Sequence, residues 1–217
     1  NTFYRALGPG LGFRDDSAVA GFAARRVWTG FGAVAADVEL DGDLDLAVAN
    51  GRVRRDQPAV AGALPPPPWD ALAEPNQIFL NDGRAVFEAM DPERCGFCVP
   101  VEVSRGLVAA DVDADGDQDL VVANVQTPLR LFENRAPRAG GWLAVRAVEP
   151  TLRRDALGAR VTLRGEGWSR RRTVQSGVSY FSAQAPIVHF GLGRLGPPTA
   201  IDIRWPDGAT ETFAVPC

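Results

Sequence analysis

Asp111-Val112-Asp113-Ala114-Asp115-Gly116-Asp117-Gln118-Asp119 runs directly into Leu120-Val121-Val122-Ala123-Asn124. Five carboxylates on alternate residues repel one another and oppose folding, and a glycine holds the sixth place. A hard cation at their centre removes the repulsion. Ca²⁺ takes about six to eight oxygen ligands at roughly 2.3–2.6 Å, and a loop with acids at places 1, 3 and 5 and glycine at place 6 wraps it. Those places are Asp111, Asp113, Asp115 and Gly116. Asp117, at place 7, is expected to offer its backbone carbonyl, and Asp119, at place 9, to close the shell.

An EF-hand loop would end in a bidentate Glu at place 12 on a helix. Here that place is Val122, inside a β-branched apolar run that reads as a buried strand. The stretch is therefore a calcium loop feeding a strand. The competing reading is a solvated acidic turn without metal.

The same pattern occurs 74 residues earlier, as Asp37-Val38-Glu39-Leu40-Asp41-Gly42-Asp43-Leu44-Asp45 before Leu46-Ala47-Val48-Ala49-Asn50. Glu39 replaces Asp at place 3, so Asp37, Glu39, Asp41, Asp43 and Asp45 are expected to bind more weakly than the later set. Two Ca²⁺ per chain follow. Asn76-Gln77-Ile78-Phe79-Leu80-Asn81-Asp82-Gly83 restarts the pattern of residues 1–8. Pro128-Leu129-Arg130-Leu131-Phe132-Glu133-Asn134 reads as the start of a third copy that stops at once. Repeats of this length with several strands each signify a propeller or a solenoid.

Every basic residue is Arg. Residues 1–137 carry 12 Arg against 21 acids, and residues 138–217 carry 11 Arg against 6. The break falls in Arg135-Ala136-Pro137-Arg138-Ala139-Gly140-Gly141, which reads as a linker between two domains, 1–137 and 138–217, that attract each other. No run of about 18 apolar residues occurs, so no membrane-spanning helix is expected. The chain begins at Asn1 without an initiator Met or a signal-peptide pattern, which suits a processed or trimmed chain.

Cys95-Gly96-Phe97-Cys98 lacks the further ligands of a zinc site and the following His of a haem site. It reads as a small loop-tying disulfide of an oxidising compartment. Cys217 is then a free thiol or pairs with another chain. Pro65-Pro66-Pro67-Pro68-Trp69 lies in a long irregular insertion. It reads as a surface loop whose Trp packs on its own domain, rather than as a partner-binding arm.

In the second half, Trp142 to Val148, Ala159 to Leu163, Thr173 to Gln175, Ile187 to Phe190 and Ala200 to Trp205 alternate apolar and polar residues. Pro206-Asp207-Gly208-Ala209 is a hairpin turn. A small β-sandwich or barrel is expected. His189, the only His, is expected to be structural.

Two resemblances extend this reading. Ala35-Ala36-Asp37 to Asn50 and Ala109-Ala110-Asp111 to Asn124, each followed by Ile-Phe-Leu-Asn or Leu-Phe-Glu-Asn, resemble the FG-GAP/VCBS repeat of integrin-type β-propellers over residues 1–134. In that family the acidic loop joins strands of a blade and holds Ca²⁺. Trp142-Leu143-Ala144-Val145-Arg146, Arg154-Asp155-Ala156-Leu157-Gly158-Ala159-Arg160-Val161 and Ser176-Gly177-Val178-Ser179-Tyr180 resemble the ASPIC/UnbV domain. So do His189-Phe190-Gly191-Leu192-Gly193 and Ile203-Arg204-Trp205-Pro206-Asp207-Gly208, and this likeness covers nearly all of residues 141–213. That domain follows such repeats in bacterial secreted proteins and in the cartilage acidic protein family.

The resemblance implies an all-β chain: blades of a partial or open propeller, since about four to eight are needed to close one, then a small β-sandwich or barrel. The function expected is a calcium-binding, secreted or periplasmic interaction module without catalytic residues, with a protein or glycan partner. The alternative is a structural accessory subunit of a larger extracytoplasmic assembly, reaching a membrane only through a partner. A hydrolase using paired carboxylates is the third reading, and no catalytic motif accompanies it. Arg153, Arg154, Arg160, Arg164, Arg170, Arg171 and Arg172 lack any nucleic-acid recognition motif. They are expected to face the acidic repeats or anionic partners.

Overall fold

Short apolar runs punctuated by Gly and Pro give strands here, with single-turn 3-10 segments between some of them. The computed structural model describes residues 2–8, 10–22, 28–54 and 60–215. β1 (Tyr4–Ala6) and β2 (Phe13–Asp15) form a hairpin. β3 (Gly30–Ala36) enters the first acidic loop and returns as β4 (Asp45–Asn50). Next come β5 (Glu74–Pro75), β6 (Gln77–Asn81), β7 (Phe87–Ala89) and β8 (Val101–Glu102). β9 (Ser104–Ala110) enters the second acidic loop, β10 (Asp119–Asn124) returns from it, and β11 (Arg130–Phe132) follows.

Besides the β1–β2 and β5–β8 pairs, these strands make two larger antiparallel sheets, β3-β4-β6-β7 and β11-β10-β9. In both, the strand leaving the acidic loop pairs with the strand of the Phe-x-Asn type: Leu46 opposes Phe79, and Leu120 opposes Phe132. Residues 128–134 therefore complete the second copy and do not open a third. Periodicity marks recurrence but not phase. Pairing sets the phase, because it must place each strand's apolar side chains on the buried face.

The core lies where β3 and β9 pack side by side. Val34, Ala36, Ala47 and Ala49 meet Leu107, Ala109, Leu120 and Val122 there, with Phe97 and the Cys95–Cys98 disulfide covering one end. Leu107 is fully buried, worth roughly 1.5–3 kcal/mol. Cys217 lies outside the described residues. Trp69 packs on Leu72, Val101 and Val103 of its own half, so the proline stretch is a packed loop and no arm.

The second half contains β12 (Trp142–Val145), β13 (Val148–Glu149), β14 (Arg154–Asp155), β15 (Arg160–Gly165) and β16 (Trp168–Thr173). It continues with β17 (Gly177–Ser179), β18 (Ser182–Ala183), β19 (Val188–Gly191), β20 (Pro198–Arg204) and β21 (Thr210–Ala214). A four-stranded sheet, β16-β15-β20-β21, packs Val161, Leu163, Ile201 and Ile203 against Val188 and Phe190 of the β12–β19 ribbon. The molecule is all-β, with no closed barrel among the described residues. The expected turn at residues 206–209 joins β20 to β21, with Trp205 N donating to Ala209 O at 2.8 Å. The strand expected at residues 173–175 lies earlier, as β16, where three consecutive arginines conceal the alternation.

Candidate metal centre

Both acidic loops are hairpin connections, and both fold by the same bonds. The place-1 carboxylate caps the turn from inside: Asp37 accepts from Asp41 N at 3.0 Å and Gly42 N at 2.9 Å. Asp111 accepts from Asp115 N and Gly116 N, each at 3.1 Å. The place-9 carboxylate ties the loop to its sheet. Asp45 accepts from Val38 N at 2.9 Å and Asn81 N at 2.8 Å, and Asp119 from Val112 N at 3.0 Å and Asn134 N at 2.8 Å. Places 4 and 6 are left-handed in both loops: Leu40 and Ala114 at φ 58° and 61°, Gly42 and Gly116 at φ 99° and 98°. The first and last acids thus brace backbone N–H groups, a role the alternating pattern alone does not disclose.

The loops differ in what remains. In the second, Asp111, Asp113 and Asp115 each present a carboxylate oxygen, all within 4.8 Å of one another. Asp119 stays outside this group. Asp117 is buried, and its Oδ2 accepts from Arg138 Nη2 at 3.0 Å, while its Oδ1 is buried with no partner. Arg138 also donates to Asp115 Oδ2 and, at 3.1 Å, to Asp115 O. Lost hydration raises the pKa of Asp113 and Asp117, while Asp115 is lowered by the Asp117 N–H and by Arg138. Hard oxygen donors alone, converging and with one buried oxygen orphaned, fit a divalent cation such as Ca²⁺.

In the first loop the five acids do not converge in this way. Asp37 and Asp45 are almost wholly buried, and Glu39, Asp41 and Asp43 are half-buried. Burial pushes Asp37 up to about 6 and Asp45 up to about 7. Burial and Asp41 raise Glu39 as well. Asp43 lies 3.7 Å from Arg170.

The C-terminal half covers both loops. His189 Nε2 donates to Gly116 O at 2.8 Å, and its ring stacks on Trp142 at 5.9 Å. A side chain on Gly116 would land inside the Trp142 indole, and one on Gly191 would land on Asp37 and Leu40. Gly193 N donates to Leu40 O at 2.8 Å, and Ala139 N to Glu39 O at 2.7 Å. Arg172 Nη2 reaches Gly42 O at 3.4 Å. The β17–β18 hairpin adds a second contact: Ala33 N donates to Ser179 Oγ at 3.1 Å, and Tyr180 packs edge-on against Phe31.

Sequence reading placed these residues in separate motifs and missed that the β12–β19 ribbon seats both loops. The charge split was the one available signal. His189 is spent on Gly116 O, and burial lowers its pKa, so the ring is neutral and positional. Of the seven arginines expected to face the acidic repeats or anionic partners, Arg170 and Arg172 face the first acidic loop. Arg164 pairs with Asp202 of its own sheet.

Residues 149–216 match the family described as ASPIC and UnbV, so the second half carries that domain. The chain is also distantly similar to cartilage acidic protein 1. The mouse (Mus musculus) protein is 31% identical over 142 residues, covering 63% of this chain and 20% of the relative. The Homo sapiens protein is 30% identical over 135 residues, covering 59% and 18%. For Xenopus tropicalis the figures are 28% over 147 residues, 66% and 21%. The chain spans about a fifth of the length of these curated relatives.

Proposed function

We propose that this chain is a calcium-binding, extracytoplasmic interaction module without catalytic activity, its first half being FG-GAP/VCBS blades of an open propeller. The observation that carries the reading is the second loop: carboxylate oxygens of Asp111, Asp113 and Asp115 lie within 4.8 Å of one another, and Asp117 of the same loop has a buried, unpartnered Oδ1. The same bracing bonds in the first loop support a second site, completed when metal draws Glu39, Asp41 and Asp43 together. Bound Ca²⁺ would be held by Asp111, Asp113 and Asp115, with Asp117 and Asp119 closing the shell, and would supply charge neutralisation and rigidity rather than chemistry. The Cys95–Cys98 disulfide supports an oxidising compartment. No helix among the described residues is long and apolar enough to cross a membrane.

The alternative, an accessory subunit of a larger assembly, draws on a groove of about 900 Å³ between the two sheets, lined by Ile78, Leu80, Met90, Phe97 and Phe132. Copurification at fixed stoichiometry favours that reading. Calorimetry on chelated protein tests the first. Two Ca²⁺ per chain are expected, with the tighter one lost in Asp113→Asn/Asp115→Asn. Heat of binding for neither ion, or full preference for Mg²⁺, overturns it.

A further inference from the structure

The four-stranded sheet β16-β15-β20-β21 has one face on the core. Its other face is basic. Val161 and Leu163 point inward, and their neighbours across the sheet are Arg172 and Arg170 on β16 and Ile203 and Ile201 on β20. Side chains alternate along strands, so Arg160, Arg164, Arg171 and Arg204 project from the opposite face. All four are exposed. The run Arg170-Arg171-Arg172 is thus split by the pleat: the outer two serve the first acidic loop, and the middle one faces away.

Register sharpens the picture. Arg160 lies directly opposite Arg204. Like charges directly opposed on neighbouring strands destabilise a sheet. The acid on this face, Asp202, is already committed. Arg164 Nε contacts it at 2.6 Å and Thr212 Oγ1 donates to it at 2.7 Å, so its pKa is lowered by Thr212 and then Arg164. Arg160, Arg171 and Arg204 have no ion pair among the described residues. The rest of the face is small and hydroxylic: Thr162, Ser169, Thr173, Thr210 and Thr212.

We infer that this face binds an extended anionic polysaccharide carrying sulfate or carboxylate groups. The inference names the partner class for the interaction-module reading and rests on it for compartment only, since the calcium loops lie beneath the other face of the domain. Charge complementarity sets the sign of the partner: the planar guanidinium forks match sulfate or carboxylate oxygens. The intervening hydroxyls match the hydroxyls of sugar rings. Nucleic acid fits less well, because this face presents no aromatic side chain on which a base would stack.

The test uses the whole 217-residue chain and immobilised heparin, with dextran and single-stranded DNA as comparators, near 0.15 M salt and at higher salt. Heparin is expected to bind and dextran not, with binding weakening as salt rises. Arg160→Ser/Arg204→Ser should weaken heparin binding by roughly tenfold or more. Arg84→Ser/Arg94→Ser removes the same charge from exposed sites in the acidic half and should leave binding within about twofold. A thermal melt of each variant separates lost binding from lost fold, and Arg171→Ser alone gives a milder second variant. Calcium titration of the same samples separates this inference from the calcium reading: the variants should take up Ca²⁺ like the parent chain. Absence of heparin binding, equal loss in both double variants, or tighter binding to DNA than to heparin overturns the proposal.

Discussion

The two acidic loops share a sequence pattern, a backbone path and four bracing bonds, yet they present different chemistry. The second leaves three carboxylates converging near solvent with Arg138 alongside. The first is packed under β16 and β19, with its place-1 and place-9 acids buried and their pKa values raised. The motif therefore specifies the turn, while the surroundings of each copy decide how readily its charges are exposed, protonated or neutralised.

The contrast breaks most visibly if metal is removed. A ligand bound only by the folded state adds about 4 kcal/mol per site at a thousandfold excess over Kd. Chelator should lower the melting temperature of the whole chain by roughly ten degrees or more. Asp113→Asn/Asp115→Asn should remove most of that calcium-dependent shift, and Asp41→Asn/Asp43→Asn a smaller part. Differential scanning calorimetry with calcium and with chelator measures both. An unmoved melt in chelator means solvated turns.

The next test removes the cover from one loop only. Trp142→Ala takes away the ring over Gly116 and should cost about 2 kcal/mol, less than a fully buried Trp because Trp142 is 41% exposed. His189→Ala leaves Gly116 O unpaired and should cost about 1–3 kcal/mol. Denaturant melts give both values. Amide exchange should then quicken in residues 111–119 while residues 37–45 keep their protection.

Acidity separates the loops in the opposite sense. In the chelated chain Asp37 and Asp45 keep their protons to about pH 6 and 7, whereas both release them near 3.8 when unfolded. The folded state binds the extra protons, so this contribution is full below the unfolded value and is lost as pH rises through the folded ones. Chelated protein should melt lower at about pH 8 than at about pH 5. Asp37→Asn/Asp45→Asn should flatten the difference. With Ca²⁺ present the dependence should reverse, because the ligands must be ionised.

The smallest effect concerns Arg138. Its guanidinium pairs with Asp115 and Asp117, and being 40% exposed it is screened by water and salt. Arg138→Gln should tighten calcium at the second loop by about two- to fivefold. Arg170→Gln should change the first loop less, since its contact with Asp43 is longer.

Much of this was legible in the residues. Place numbering, the left-handed glycines, the strands that follow each loop, the turn at residues 206–209 and the Cys95–Cys98 bridge are local features, and local spacing encodes them. The rest depends on partners distant in sequence. How Asp119 is tied to Asn134 N, whether Phe132 opens a copy or closes one, and whether His189 meets Gly116 are settled by packing. Three arginines in a row share one expectation until β15 pairs with them and sends Arg171 one way and its neighbours the other.

Asn134 stands between the two loops. Its backbone N–H donates to Asp119 at 2.8 Å, its Nδ2 donates to Val38 O at 2.8 Å, and its Oδ1 accepts from Ala136 N at 2.9 Å. One residue, by its backbone on one side and its side chain on the other, therefore reports the posture of each loop to the other. Ordering either loop prepays part of the entropy of ordering its sibling, and the linkage must act equally in both directions. Calcium uptake should then be cooperative, with a Hill coefficient above one. Asn134→Ala, which keeps the backbone N–H and deletes the bridge, should return the two sites to independence.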